Sequence, residues 1–127
     1  MLKLFIADDD NILRRGLRTI IEENGVSCQI VGEASNGAQA LEKLKAERVD
    51  VLITDIKMPV MDGIEMAKNV RELGLKTKII VFSGFDEYKY VRETLKHGAL
   101  DYLLKPIENK ALLELIERAR AEIGQER

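Results

Sequence analysis

The chain has little of what marks several common protein classes. Among its 127 residues there is one cysteine, one histidine and two prolines, and no apolar run approaches the ~20 residues needed to cross a bilayer. A lone Cys28 cannot form an internal disulfide, and the short apolar start followed at once by acids is unlike a signal peptide. A cytoplasmic location is the expectation. Neither charge dominates, at 20 Lys and Arg against 22 Asp and Glu, so there is no electrostatic footprint for nucleic acid or an anionic membrane surface. No glycine-rich loop follows the first apolar run, where a flavin- or nucleotide-binding module would need backbone amides rather than acids. Internal repeats and low-complexity stretches are also missing, and one domain with one core is expected at this length.

What is present is an alternation. Short runs rich in Val, Ile, Leu and Phe exchange with longer segments of helical period, the pattern of a βαβ protein with a parallel sheet. Strands are expected over Lys3 to Ala7, Cys28 to Ala34, Asp50 to Thr54, Lys78 to Ser83 and Asp101 to Leu104. The third and fourth are apolar without alternation, as central strands covered on both faces should be. The second mixes polar with apolar residues, which suits an edge. Five helices fill the intervals. The first carries an apolar stripe of Ile12, Leu13, Leu17, Ile20 and Ile21, and Asn24-Gly25 closes it in the manner of a left-handed cap. Ser35 or Asn36 caps the second, which uses Ala40, Leu41 and Leu44. The third starts near Asp62, uses Ile64, Ala67, Val70 and Arg71, and stops at Gly74. The fourth runs from about Asp86 to His97-Gly98, and the last from Glu108 to about Ile123.

The chemistry gathers where strands end. Ile6-Ala7-Asp8-Asp9-Asp10, Thr54-Asp55, Phe82-Ser83 and Leu104-Lys105-Pro106 would place carboxylates, a hydroxyl and an ammonium along the carboxyl edge of one parallel sheet. Clustered carboxylates repel one another unless a cation sits among them. Mg²⁺, which takes an oxygen shell from one or two carboxylates together with phosphate oxygens, suits Asp8, Asp9 and Asp55. An aspartate so placed is a competent nucleophile toward phosphorus, and phosphoryl transfer then needs positioning and neutralisation of the peripheral oxygens by the cation, Lys105, Ser83 and nearby amides. Three aspartates after a strand also make a helix N-cap with favourable charges. Asp55 decides between the readings, because it opens Asp55-Ile56-Lys57-Met58-Pro59-Val60-Met61-Asp62-Gly63, an acid directly after a buried strand followed by a proline loop and a helix start. A cis Lys105-Pro106 bond is one way to aim the ammonium inward.

Taken together these motifs closely resemble the response-regulator receiver domain of bacterial two-component signalling, over essentially the whole chain from Met1 to about Ile123. The resemblance implies an α/β, flavodoxin-like (βα)5 doubly wound fold with strand order 2-1-3-4-5. It implies Mg²⁺ on Asp8, Asp9, Asp55 and the main-chain carbonyl of Lys57, with Asp10 outside the ligand set. Asp55 matches the phosphoacceptor, Lys105 the conserved lysine of the site, Ser83 the switch hydroxyl and Tyr102 the aromatic switch. It further implies a sensor histidine kinase as phosphodonor, and a change on the face made by the fourth helix, fifth strand and fifth helix, through which a homodimer would form. Lys57 and Phe85 fall at positions flanking the phosphoryl group. Gly84-Phe85-Asp86-Glu87-Tyr88 and the segment His97 to Pro106 resemble receivers that precede an arabinose-regulator-type helix-turn-helix domain. Residues 1–123 then form the receiver, 124–127 a tail leading toward such an effector, and any contact with DNA belongs to the effector.

Competing readings are a flavin- or nucleotide-binding module on the same fold, a hydrolase with an aspartyl intermediate, and a receiver that binds partners without phosphorylation. The hydrolase would need an acid two residues past its nucleophile, where Lys57 stands. Other residues carry blander expectations. His97 favours the helix macrodipole, Cys28 packs near the core, and Met58 and Met61 pack the loop. Arg118 and Arg120 form a solvated face, and of Tyr88 and Tyr90 one is turned outward.

Overall fold

The computed structural model describes residues 1–25, 27–84 and 86–126. Five strands and five helices alternate: β1 (Leu2–Ala7), α1 (Asn11–Asn24), β2 (Cys28–Ala34), α2 (Gly37–Ala46), β3 (Val51–Asp55), α3 (Gly63–Glu72), β4 (Lys78–Ser83), α4 (Tyr88–Lys96), β5 (Asp101–Leu104) and α5 (Asn109–Glu126). The strands pair in parallel in the order β2-β1-β3-β4-β5. This is the doubly wound, flavodoxin-like arrangement, with β2 at an edge as its mixed composition requires.

Alternating side chains divide the interior into two cores. Phe5, Ala7, Leu52, Ile79 and Val81 face α2, α3 and α4 through Ala40, Leu41, Leu44, Met66, Ala67, Val70 and Val91. Leu4, Ile6, Val51, Ile53, Ile80 and Phe82 face α1 and α5 through Leu17, Ile21, Leu112, Ile116 and Ala119. Burial on both faces is why β3 and β4 read as unbroken apolar runs. The helices start on side chains that satisfy their free N–H groups. Asp10 accepts from Ile12 and Leu13, Asn36 from Gln39 and Asp62 from Glu65. At α4 the residue before the helix, Glu87, makes no side-chain capping bond.

Several local expectations are corrected. Gly25 is extended (φ −79°, ψ 108°), not left-handed. Among the described residues of this turn, Ser27 is left-handed, at φ 52°. Glycine is needed at 25 for space, because its N–H bonds the Ile21 carbonyl at 2.7 Å and a Cβ would lie 2.6 Å from that oxygen. Ile12 is 81% exposed, since the arc that meets the sheet is set by Leu13, Leu17, Ile20 and Ile21 and passes it by. In α3, Met66 takes the buried place expected of Arg71, whose guanidinium instead reaches the Lys96 carbonyl at 3.0 Å. Tyr88 and Tyr90 are both exposed. Arg118 is not merely solvated: it pairs with Asp101 at 2.7 Å and ties α5 to β5, while Arg120 pairs with Glu117 and meets Cys28 Sγ at 3.3 Å. Helix α5 continues past Ile123 to Glu126.

Two glycines give opposite stability predictions. Gly16 lies exposed within α1 with nothing within 4 Å of a built Cβ, so Gly16→Ala should stabilise by about 0.5–1 kcal/mol through helix propensity. A Cβ on Gly32 would lie 2.7 Å from the ring of Phe5, itself 1% exposed. Gly32→Ala should therefore destabilise by about 1–3 kcal/mol through overpacking. Urea denaturation midpoints of the two variants check both signs.

Candidate functional site

Register brings the strand-end residues together. Ala7 pairs with Thr54, and Asp55 with Phe82. Asp8, one residue past β1, therefore lies beside the end of β3, and Ser83 lies one residue beyond the Asp55 rung. Ser83 pairs in turn with Leu104, and its carbonyl accepts the Lys105 N–H at 2.9 Å. That bond fixes the start of the Lys105 side chain, whose ammonium reaches across the edge to Asp55 Oδ2 at 3.0 Å. The Lys105-Pro106 bond is cis. The ammonium also lies 5.6 Å from the centre of the Phe82 ring, within cation–π range.

The acids form one group. One carboxylate oxygen from each of Asp8, Asp9 and Asp55 lies within 4.8 Å of the others. Asp8 and Asp55 are buried and Asp9 is exposed. The Asp8 main-chain N–H donates to the Ala34 carbonyl, its Oδ1 accepts the Asp10 N–H at 3.0 Å, and its carbonyl accepts from Arg14. Yet Asp8 Oδ2, Asp55 Oδ1 and Ser83 Oγ are buried and have no hydrogen-bond partner among the described residues. Buried oxygens of this kind are rare in folded proteins and need an account. Three carboxylates face one ammonium, and the uncompensated negative charge matches a hard divalent cation bound through oxygen. The residues present thus fit Mg²⁺.

Titration follows from this geometry. Burial raises the Asp8 carboxyl to about 7, and the nearby Asp55 adds to the rise against the opposing Asp10 amide bond. Burial also raises Asp55, partly offset by Lys105. For Lys105, burial works against the ammonium, but its bond to Asp55 and the negative charges of Asp55, Asp8 and Glu87 together outweigh this and the net shift is upward.

The other expected residues take different places. Asp10 caps α1 with Oδ1, which accounts for it without a metal. Tyr102 is 37% exposed on β5 and does not join the acids. The Lys57 ammonium lies 3.7 Å from Glu87 Oε2 and 5.0 Å from the centre of the Tyr90 ring. Phe85 lies outside the described residues. Met58 is buried in the core facing α2 and α3, and Met61 packs against it, as loop packing predicts. His97 is the C-cap of α4, with Nε2 3.9 Å from Glu93.

Two residues went unrecognised in the sequence. Gly63 stands where a Cβ would lie 2.8 Å from the Asp55 carbonyl and 3.0 Å from Ile56 Cα, and its N–H bonds the Ile56 carbonyl at 2.7 Å. It lets α3 pack directly under the strand end that carries Asp55. The signal was the Asp62-Gly63 pair, half explained as a cap. Glu87 is the second: it reads as an ordinary helix-start acid but is 6% exposed.

A doubly wound parallel sheet with an acidic crevice at the carboxyl ends of β1 and β3 and a lysine from the end of β5 defines a small class of switch-point sites. Residues 4–117 match the family described as response regulator receiver domain, and the chain belongs to that family. It is 37% identical over 126 residues to YesN of Bacillus subtilis, a protein named as an uncharacterized transcriptional regulatory protein, covering 99% of this chain and 34% of YesN. It is 34% identical over 116 residues to the transcriptional regulatory protein HptR of Staphylococcus aureus, covering 91% of this chain and 45% of HptR. The chain thus spans between a third and a half of the length of these relatives. Among solved structures, the receiver domain of AraT, a response regulator from Geobacillus stearothermophilus, superposes with a TM-score of 0.88 at 40% identity, covering 98% of this chain and 97% of that one. A two-component transcriptional regulator AraC from Clostridium phytofermentans gives 0.87 at 29% identity, covering 98% and 97%.

The raised carboxyls make stability pH-dependent with a definite sign. Between the ordinary carboxylate range and about 7, the folded state holds protons that the unfolded chain has lost, so stability falls as pH rises through this window. In EDTA the melting temperature should drop by a few degrees from the acid to the alkaline side of it. Asp8→Asn should flatten the drop and melt higher than wild type at alkaline pH, as thermal scans across the window would read.

Proposed function

We propose that this domain is a phosphorylation-driven switch in which Asp55 accepts the phosphoryl group from a phosphohistidine of a sensor kinase. One observation carries the assignment: the buried Asp55 carboxylate holds Lys105 on Oδ2 while Oδ1 stays unbonded among the described residues. The carboxylate is thereby oriented and desolvated, as a nucleophile needs to be. An Asp55 oxygen forms a bond to phosphorus as the P–N bond to the donor histidine breaks, and the electron pair leaves on the imidazole, which takes up a proton. Lys105 neutralises charge on the phosphoryl oxygens, and Ser83 with the amides that follow β4 receives another oxygen. Asp8, Asp9, Asp55 and the Lys57 carbonyl would hold Mg²⁺, which supplies charge neutralisation at the transferring group.

In this reading Ser83 moves toward the phosphoryl group and Tyr102 follows. The change spreads to α4, β5 and α5, where Leu95, Tyr102 and Leu104 are exposed apolar residues suited to a second copy of the domain. Residues 1–123 constitute the switch, 124–127 lead toward an effector, and that effector is a DNA-binding transcription regulator of the arabinose-regulator type in the cytoplasm. The domain turns over no separate substrate. A flavin- or nucleotide-binding role is disfavoured because the crevice presents acids to any phosphate.

Acetyl phosphate with Mg²⁺ should add one phosphoryl group, read by intact mass. Asp55→Asn should abolish the addition, and EDTA should do the same. Undiminished labelling of Asp55→Asn would overturn the assignment. With Mg²⁺ and beryllofluoride, sedimentation should show a monomer-to-dimer shift that the same substitution removes.

A further inference from the structure

Glu87 is a buried acid that the mechanism above does not use. It directly precedes α4, yet its carboxylate makes no capping bond to that helix. It turns back instead toward the sheet edge, where Oε1 accepts the Gly84 N–H and Oε2 lies 3.7 Å from the Lys57 ammonium. Its main chain closes the same turn, with the Glu87 N–H on the Gly84 carbonyl at 3.1 Å and the Glu87 carbonyl accepting from Tyr90 and Val91 at 3.0 and 3.1 Å. Gly84 leaves room for this, since a Cβ there would lie 3.2 Å from Glu87 Oε1.

An anionic oxygen that accepts a backbone amide beside an ammonium does chemically what a phosphoryl oxygen does. The amide in question follows Ser83, at the strand end facing Asp55. We propose that Glu87 is an internal anion that occupies the Gly84 amide before phosphorylation and is displaced from it by the phosphoryl group. This rests on Asp55 as the phosphoacceptor. Two consequences follow. Glu87 opposes phosphoryl capture both by holding a donor the new anion needs and by repelling it, and its field already reaches Asp55 and Lys105, whose protons it helps retain. Its release also frees the turn from Gly84 to Glu87 on which α4 begins, which couples the charge at Asp55 to the position of α4 through a named bond. Glu87 is in this sense a positioning residue, since it touches a donor of the site and not the reacting atoms.

The test is Mg²⁺-dependent beryllofluoride binding by calorimetry, with amide hydrogen exchange of the metal-free protein, on wild type, Glu87→Gln, Glu87→Ala and Asp55→Asn. Glu87→Gln keeps the size and an acceptor oxygen but loses the charge. It should bind beryllofluoride more tightly by about tenfold, the order expected for removing one like charge close to a partly buried anion. Glu87→Ala should bind at least as tightly and should also lose exchange protection at Gly84 and the first turn of α4. A purely structural role predicts the reverse, weaker binding in both variants. Wild-type or weaker affinity in Glu87→Gln overturns the proposal while leaving the phosphoacceptor intact, and should Glu87→Ala fail to fold, Glu87→Gln decides alone. Absence of binding by wild type, or binding retained in Asp55→Asn, would instead overturn the phosphoacceptor assignment itself.

Discussion

The bond between Lys105 and Asp55 is the contact on which the site depends. It joins residues fifty positions apart, closes the edge of the sheet over the acids, and is the one direct ion pair made by the buried Asp55 carboxylate among the described residues. Without it, the desolvation that raises the Asp55 carboxyl would lose its main opposing contact. With it, that rise is partly offset, whereas Asp8 nearby makes no ion pair among the described residues. The domain thus concentrates buried negative charge that a divalent cation would relieve.

The fold supplies that arrangement through a simple constraint. Parallel strands place all their carboxyl ends on one edge, so residues just after β1, β3, β4 and β5 must be neighbours whatever their distance in sequence. Turn chemistry then sets the details. Asp10 is consumed as a cap, Gly63 lets α3 approach the Asp55 backbone, and the Ser83 carbonyl anchors Lys105. Glu87 departs from the pattern, since a residue at a helix start usually caps its own helix. Its turn toward Gly84 and Lys57 is the local violation expected where function competes with stability.

Legibility varied with the origin of each feature. The central strands and their burial on both faces were legible because the unbroken apolar runs Val51-Leu52-Ile53 and Ile79-Ile80-Val81-Phe82 leave few alternatives, whereas strand order came from the family resemblance. The acids and Lys105 were legible because they stand at the ends of apolar runs. Side-chain roles on the helices were less so. Ile12 reads as core in a linear stripe yet lies outside the buried arc, and Tyr88 and Tyr90, of which the sequence required only that they not both point inward, are both exposed. Such choices depend on a few tens of degrees of helix rotation, which packing sets and local periodicity does not. Gly25 reads as a left-handed cap, but steric closeness to Ile21 is what requires it.

By itself the chain determined which segments become strands and helices, and hence that Asp8, Asp9, Asp55, Ser83 and Lys105 share one edge, because apolar period and strand polarity are local properties carried by neighbouring residues. Tertiary structure alone decided that Asp8 and Asp55 are buried with oxygens left unbonded, that Arg118 ties α5 to Asp101, and that Glu87 reaches Gly84 and Lys57. Each of these is a matter of desolvation or of a contact a few ångströms long between side chains on different elements. Such distances exist only once the sheet and its helices have packed.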